Sequence, residues 1–531
     1  MEVGMKRPAV LWITVLILGW CFDFLFWGHR PGISFAIYTV LCLAGGLAVL
    51  ISEGFHPSWK SVPLLLPIGF FTVMTFVRLE PMSQFLSYAF TLGLLGLLAL
   101  TYLGGRWVCY SLPDYVVQFI RLAGSMLARP LMFVNARKQL AAASPEGVRQ
   151  ATASSSGWKR AWAVLRGLLI AIPILAIFAA LLASTDAVFA QVLNRFIALF
   201  RLEKLPEYLF RLAYILVGAY LLAGVFLHAA QKSRDEKLIG EEKPLLSAFL
   251  GFTEGAVVLG AVELLFLVFV IIQFRYFFGG QTNIGVQGFT YAEYARQGFG
   301  ELVAVAFFSL LLFLGLSVIV KRETSVRRQA FSGLGVGMGI LVGVILISAF
   351  QRLRLYEAAY GFSRLRTYTH AFMIWLGILL AAALVLEILR KERLFVTAAL
   401  LAGIGFAASL NLLNVDAFIV RQNVARAAQG QDLDVAYLAS LSPDAIPALA
   451  ETYRSAAFPF RIRQAAGAAL VCRQATSSGP VDQDWRSFSL ARGWAKAAQS
   501  RLDLSGYTVQ KGDYPYQVTA PGGQVFDCMG G

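Results

Sequence analysis

Between Gln351 and His370 four arginines, Arg352, Arg354, Arg364 and Arg366, stand against a single acid, Glu357, with Tyr356, Tyr360, Phe362 and Tyr368 interleaved. Guanidinium forks match carboxylate and phosphate oxygens, and tyrosine hydroxyls add donors, so this composition can build a mouth for an anionic ligand. Two more arginines sit in similar company. Arg275 falls in Gln273-Phe274-Arg275-Tyr276-Phe277-Phe278-Gly279-Gly280, and Arg296 lies between Tyr294 and Phe299 in the run Tyr291 to Glu301. A second reading needs only a bilayer nearby. Aromatic side chains gather at membrane interfaces, and arginines there pair with acids such as Glu357, Glu293, Glu301 and Asp186 or reach lipid phosphates.

Other chemistry is sparse. His29, His56, His228 and His370 are far apart and none belongs to a His-Glu-x-x-His pattern, so the sequence offers no zinc site. It carries no Gly-x-Ser-x-Gly elbow and no phosphate-binding loop, and we assign no catalytic residue, metal or cofactor. The glycine-rich stretch Gly333 to Gly343 lies inside an apolar run with no lysine after it, which points to close helix packing. A lipid-linked sugar transferase would be expected to carry acids in its first outer loop, which here is Gly28-His29-Arg30-Pro31-Gly32.

The elements that must position these residues are membrane helices. The chain is 58% hydrophobic and 15% charged with a mean hydropathy of +0.65, whereas soluble domains are about a quarter charged. We place eleven spans at Pro8 to Trp27, Ile33 to Ile51, Val62 to Val77, Met82 to Leu103, Ala161 to Leu182, Leu212 to Ala230, Leu250 to Phe274, Leu302 to Val320, Phe331 to Phe350, Ala371 to Leu389 and Leu394 to Leu413. The first is read as an anchor, because it has no small-residue cleavage site and further spans follow at once. The net charge of +15 is spread through short loops and forms no basic face, which argues against nucleic acid.

Lys and Arg resist translocation and collect on the cytoplasmic side. With the N-terminus inside, one side collects twenty-two basic residues and the other twelve, so an odd number of spans sends the tail to the periplasm. The expected organisation is four spans in residues 1–105, a basic cytoplasmic loop in 106–160, seven spans in 161–413 and an extracytoplasmic domain in 414–531. Within the loop, Asp114 to Val134 mixes apolar residues with Arg121 and Arg129, as an interfacial amphipathic helix does. Beyond it, Ala141 to Gly157 reads as a flexible linker.

Inside the seventh span Glu263 is costly, about 2.5 to 3.5 kcal/mol on insertion scales. It either carries a proton or cation, or is neutral or paired with a group such as Arg166 and only fixes packing. Asp23, near the outer end of the first span, is expected to cap or to pair with Arg30. The tail reads as helical through Asp434 to Tyr453 and Trp485 to Leu502, with an extended cap or hairpin in 506–531. Cys472 and Cys528 lie in polar sequence and on the outer side would form one disulfide or remain two thiols.

Several stretches together resemble a known family: Ala183-Ser184-Thr185-Asp186-Ala187-Val188-Phe189, the runs at Gln273 and Tyr291, Tyr356-Glu357-Ala358-Ala359-Tyr360-Gly361, Arg364-Leu365-Arg366-Thr367-Tyr368-Thr369, Asn414-Val415-Asp416-Ala417, Tyr437-Leu438 and Asp444-Ala445-Ile446-Pro447. They are similar to the bacterial polytopic membrane proteins grouped as domain of unknown function 4173 and its relative 4153, over Ala161 to about Leu449. The resemblance implies bacterial inner-membrane residence and a multi-helix fold, and brings no activity with it.

The expected fold is therefore an all-α integral membrane protein with a small, mainly helical C-terminal domain. Its partner is the bilayer. For function two readings remain: a protein that transports or holds an anionic or amphipathic envelope compound, with the outer arginines as ligands and Glu263 as coupling group, or a sensor or scaffold whose outer tail binds a protein partner.

Overall fold

The computed structural model describes residues 5–143, scattered positions between 167 and 192, 204–234, 238, 248–278, 299–476, 484–510 and 516–528. The fold is an all-α membrane type. Ten described helices are long and apolar enough to cross a bilayer. In chain order the long helices are α1 (Pro8–Phe26), α2 (Ile33–Ser52), α3 (Leu65–Val77), α4 (Pro81–Thr101), α5 (Leu112–Ala143), α6 (Leu205–Gln231), α7 (Phe252–Phe278), α8 (Phe299–Ile319), α9 (Ser325–Tyr360), α10 (Arg364–Ile388) and α11 (Phe395–Leu413).

Nine of the ten match the expected spans. The tenth is α5, expected to lie along the interface, whose stretch Leu112–Gln139 has the lowest hydropathy of the set. The third expected span is a short apolar helix entered through a 3-10 turn at Val62–Leu64, where Pro63 takes a first-turn position that needs no N–H donor. Most of 161–182, Arg166, the linker after Ala143 and Arg296 lie outside the described residues; Arg275 belongs to α7, but its side chain is likewise outside them.

The described contacts divide the chain into two units. Residues 1–27, 40–56 and 120–233 form one; residues 28–39, 57–119 and 234–531 form the other.

In the first unit α1 packs along α6, where a Cβ on Gly19 would sit 2.7 Å from the Ile215 carbonyl, so only glycine permits the approach. Asp23 pairs with Arg211, not with Arg30: Nε donates to Oδ1 at 3.0 Å and Nη2 to Oδ2 at 2.5 Å, while the guanidinium lies over the Trp27 ring. The span that supplies the partner is the one packed beside Asp23, which sequence distance does not reveal. At the other end of α1 the Glu53 carboxylate accepts the backbone N–H groups of Lys6 and Arg7 at 2.5 and 2.6 Å. Helix α5 meets α6 around Ser125 to Phe133, against the second half of α6. There Gly224 admits the Met126 backbone, His228 Nδ1 lies 2.8 Å from Ser125 Oγ, and Arg129 donates to Gln231 at 2.6 Å.

In the second unit α7, α8, α9 and α10 share one apolar core around Leu259, Phe313, Phe331, Met338, Ile345 and Leu376. The α9 glycines serve this packing. A Cβ at Gly335 would fall 2.2 Å from the Phe313 ring, and one at Gly339 would fall 2.5 Å from Leu384. Gly337 faces Glu263 of α7, whose Oε2 would lie 3.3 Å from the added carbon.

The helices of this unit have two polar ends. At one end Ser58 N–H donates to the Tyr102 carbonyl, Thr397 Oγ1 donates to the Val108 carbonyl, and Arg322 pairs with Glu387 at 2.6 Å. At the other end Ile33 N–H donates to the Phe488 carbonyl, and Leu79 and Glu80 N–H groups donate to Asp444. The chain therefore gathers 28–32, 78–80, 361–363 and the C-terminal domain on one side, and 58–60, 102–111, 321–328 and 387–397 on the opposite side.

The hairpin between the ninth and tenth spans, read as a loop, is almost wholly helix. Helix α9 runs on to Tyr360, and only Gly361 to Ser363 separate it from α10. Gly361 takes φ +80°, which ends α9 without the strain a side chain would suffer.

After α11 the chain turns at Asn414, φ 53°, straight into α12 (Val415–Ala428). Then follow α13 (Val435–Ser440), α14 (Ile446–Arg454), α15 (Phe460–Thr476), α16 (Leu490–Gln499) and an antiparallel sheet β1 (Thr508–Gln510), β2 (Gln517–Thr519), β3 (Val525–Asp527) in that spatial order. Alanines of α15 pack tightly into this domain's core, where a Cβ on Gly467 would strike the Tyr507 ring. Cys472 of α15 and Cys528 beyond β3 form a disulfide with Cα atoms 5.0 Å apart; Cys21, Cys42 and Cys109 are not part of a disulfide.

Candidate functional site

The arginines of the 351–370 hairpin have separate fates. Arg364, at the first position of α10, forms a two-pronged pair with Asp416 of α12, Nε to Oδ1 at 2.8 Å and Nη2 to Oδ2 at 2.7 Å. Asp416 is fully buried and also accepts the Ser442 N–H at 2.6 Å, while the Arg364 N–H donates to the Tyr437 hydroxyl. Nearby Asp444 Oδ2 accepts the N–H groups of Leu79 and Glu80 at 2.7 and 2.9 Å, and Arg78 Nη1 lies 3.7 Å from Oδ1. Glu80 in turn caps α4 through Met82 and Ser83 N–H and accepts the Tyr368 hydroxyl. Burial raises the Asp444 carboxyl above the ordinary Asp value, opposed by the Leu79 N–H and by Arg78. These groups form a polar clamp that ties the C-terminal domain to α4 and α10.

Arg366 is also committed to structure. It donates to the Tyr360 and Gly361 carbonyls at the end of α9, and its guanidinium lies 4.1 Å from the centre of the Tyr356 ring, which itself meets Tyr360 edge-on. Arg426 of α12 donates to Ala358 and Ala359 carbonyls, both at 2.9 Å. A helix C-terminus leaves carbonyls without partners and carries partial negative charge, and two guanidinium groups answer both needs. Arg352 is buried within the bundle.

Arg354 differs. It is exposed, no carboxylate among the described residues pairs with it, and it lines a cavity of about 560 Å³ formed by α9, α10, α11 and α12 on the side of the C-terminal domain. Phe350, Phe362, Ile374, Trp375, Leu413 and Phe418 make its apolar wall. Trp375 is held by two constraints: its Nε1 donates to Ser409 at 3.3 Å, and its ring lies so close over Gly405 that a Cβ there would be 2.0 Å away. Phe362 is fixed from α12, where the Asn423 side chain accepts the Phe362 N–H at 2.7 Å and donates to its carbonyl at 2.9 Å.

The polar part of the cavity is a pair. His370 Nδ1 lies 3.1 Å from Glu357 Oε1, with Glu357 almost fully buried and the imidazole edge-on to Phe350 at 4.5 Å. The second ring nitrogen, Nε2, is shielded from solvent and has no hydrogen-bond partner among the described residues. The carboxylate selects the tautomer with the proton on Nδ1, which leaves a lone pair on Nε2 for a hydroxyl or amine donor. An apolar wall, one unspent guanidinium and one acceptor are features that suit an amphipathic molecule with an anionic group.

Sequence reasoning found Arg354 but missed His370, Asp416, Asp444 and Glu80. His370 was set aside because no other histidine lies near it in sequence; its companion is a carboxylate thirteen positions earlier. Asp416, Tyr437 and Asp444 did stand in the motifs that carry the family resemblance, and the structure gives those motifs, with Arg364 and Tyr368, to the clamp. Glu263 stands apart on α7, with Oε1 buried and unpartnered among the described residues.

No curated protein and no solved structure matches the chain. The profile of a domain of unknown function, DUF4153, matches residues 65–452, beginning well before the stretch read as most distinctive and covering the clamp and the cavity. Of the two related groups suggested by the motifs, this multi-pass membrane chain belongs to the DUF4153 family.

Proposed function

We propose that this is a bacterial inner-membrane protein, with a cytoplasmic N-terminus and a periplasmic C-terminal domain, that holds or moves an anionic amphipathic envelope compound through the Arg354 cavity. The observation that carries this reading is the union, in one cavity of about 560 Å³, of an aromatic wall, the uncommitted Arg354 and the His370–Glu357 pair. The apolar wall accommodates a hydrocarbon part, Arg354 meets the anion, and His370 Nε2 accepts from a hydroxyl.

The side assignment draws support from the charge bias of twenty-two against twelve basic residues, and from a disulfide in the domain that this bias sends outward. Exposed Trp485, Phe488 and Trp494 on that domain suit a bilayer surface. In this reading Glu263 is the group that couples ligand movement to a proton, the role for which its unpartnered oxygen inside a span qualifies it.

The test is mass spectrometry of compounds retained by the purified full-length protein. A recurrent anionic amphiphile in the wild type, reduced about tenfold in Arg354→Gln, is the expected result. A stoichiometric partner chain with no such compound would favour the scaffold reading. A reporter enzyme fused after Gly531 and active only in the cytosol would overturn the orientation. Glu263→Gln should alter the pH dependence of ligand flux in vesicles; unchanged flux and coupling would remove it from the mechanism.

A further inference from the structure

A second cleft, of about 380 Å³, opens on the same polar end of the second unit and shares no lining residue with the Arg354 cavity. We propose that it binds a phosphate group through Arg30 and Arg492, with the Tyr88 hydroxyl and the Gln84 amide as further polar contacts.

The loop carrying Arg30 is pinned to the C-terminal domain by its backbone. Ser487 Oγ donates to the Arg30 carbonyl at 2.8 Å, the Ile33 N–H donates to the Phe488 carbonyl at 2.9 Å, and a Cβ on Gly32 would lie 2.5 Å from that carbonyl. This places the Arg30 side chain at the cleft without using it: it is exposed, and no carboxylate among the described residues pairs with it. Arg492, in the first turn of α16, spends one long bond of 3.3 Å on the Ser487 carbonyl. No carboxylate among the described residues pairs with its other donors.

Among the described residues no acid lines the cleft, and the acids near it are engaged elsewhere. Glu80 caps α4 and takes the Tyr368 hydroxyl; Asp444 holds two backbone N–H groups; Asp484 is held by Arg486, whose hydrogen bonds keep its carboxyl well below the ordinary range. Two guanidinium groups in one concavity repel each other unless an anion joins them. The hydroxyl of Tyr88 is buried without a well-formed hydrogen bond, although Gln84, one turn earlier, is near enough to interact with it. The Tyr88 ring is held edge-on by Phe35 at 4.7 Å.

Forked donors from two sides and a hydroxyl suit a tetrahedral oxyanion better than a planar carboxylate, because three or more acceptor oxygens can be met at once. The cleft exceeds the volume of the anion itself and lies where α2 and α4 begin, so the phosphate can belong to a lipid headgroup or to a soluble ion.

The experiment uses the full-length protein in phosphatidylcholine nanodiscs. Equilibrium binding of radiolabelled inorganic phosphate is measured, and phosphatidylglycerol retention is counted by native mass spectrometry in parallel. At least one probe is expected to bind the wild type and to lose about tenfold in affinity in Arg30→Gln/Arg492→Gln. Binding of free phosphate identifies a soluble ligand; binding of phosphatidylglycerol alone identifies a headgroup. If the double variant melts well below the wild type, Arg30→Gln decides, since that side chain supports no other described group: a loss of about threefold or more sustains the site. Absence of both probes from the wild type, or undiminished binding in a folded variant, overturns it.

Discussion

Two groups of polar residues lie a few turns apart at the end of the second unit that carries the C-terminal domain, and they use the same residue types differently. In the clamp Arg364 meets Asp416, Asp444 meets two backbone N–H groups, and Glu80 meets a helix start and Tyr368. In the cavity Arg354 has no carboxylate partner and His370 keeps one nitrogen unused among the described residues. What separates Arg364 from Arg354 here is the supply of partners, not the residue type or its neighbours in sequence. A satisfied buried network fixes one arrangement of its helices, whereas groups left incomplete beside an apolar wall can still accept a ligand.

The comparison breaks first at Asp416. Asp416→Ala leaves the Arg364 guanidinium without its counter-ion and the Ser442 N–H without its acceptor, and is expected to cost about 3 to 5 kcal/mol. Thermal unfolding in detergent reads this loss; a change below about 1 kcal/mol would mean the clamp does not hold the domain.

Asp444 sharpens the distinction between charge and geometry. Both N–H bonds go to one oxygen, so Asp444→Asn can keep them, whereas Asp444→Ala abandons two buried donors. We expect about 2 kcal/mol or more for the alanine variant and under about 1 kcal/mol for the asparagine. The pH dependence has a definite sign. Burial raises this carboxyl, so its neutral form is favoured in the folded state; the contribution to stability is complete below the unfolded Asp value near 3.9 and declines as pH rises through the raised folded value. Asparagine at 444 should remove that decline, and an unaltered pH profile would place it on another group.

At Gly405 the two regions can be separated. A methyl group there forces Trp375 off its seat and into the cavity wall. Gly405→Ala is expected to weaken ligand retention by about tenfold while clamp variants with intact folds leave retention alone. The smallest effect on stability belongs to Arg354→Gln. An exposed, unpaired arginine contributes within about 0.5 kcal/mol, so its melting temperature should match the wild type even where the ligand is lost.

Much of the architecture was readable because apolar runs of span length are physically decisive: a bilayer tolerates no other reading of α1, α2, α4 and α7 to α11. Helix α5 was harder. Arg121 and Arg129 interrupt its apolarity, so composition places it near the boundary between crossing and lying flat. The hairpin at 351–370 was misread as loop because charges at a membrane surface resemble loop composition, whereas here they cap and brace helix ends. The site was less legible still. Arg354 carries no local mark that separates it from Arg352 or Arg366, and the sorting depends on Asp416 and Arg426, more than fifty positions downstream. The motif residues were visible, but their use in the clamp rather than the cavity required the fold.

One joint carries a mechanical consequence. Between the last membrane helix and the C-terminal domain stands a single residue, Asn414, in a left-handed backbone conformation, with α11 ending at Leu413 and α12 starting at Val415. A hinge one residue long, braced by the Arg364–Asp416 pair beside it, has little slack. Helix α12 is about 21 Å long, so a tilt of α11 by about five degrees sweeps its far end through about 2 Å. The domain thereby moves as a pointer fixed to the last helix rather than as a weight on a string.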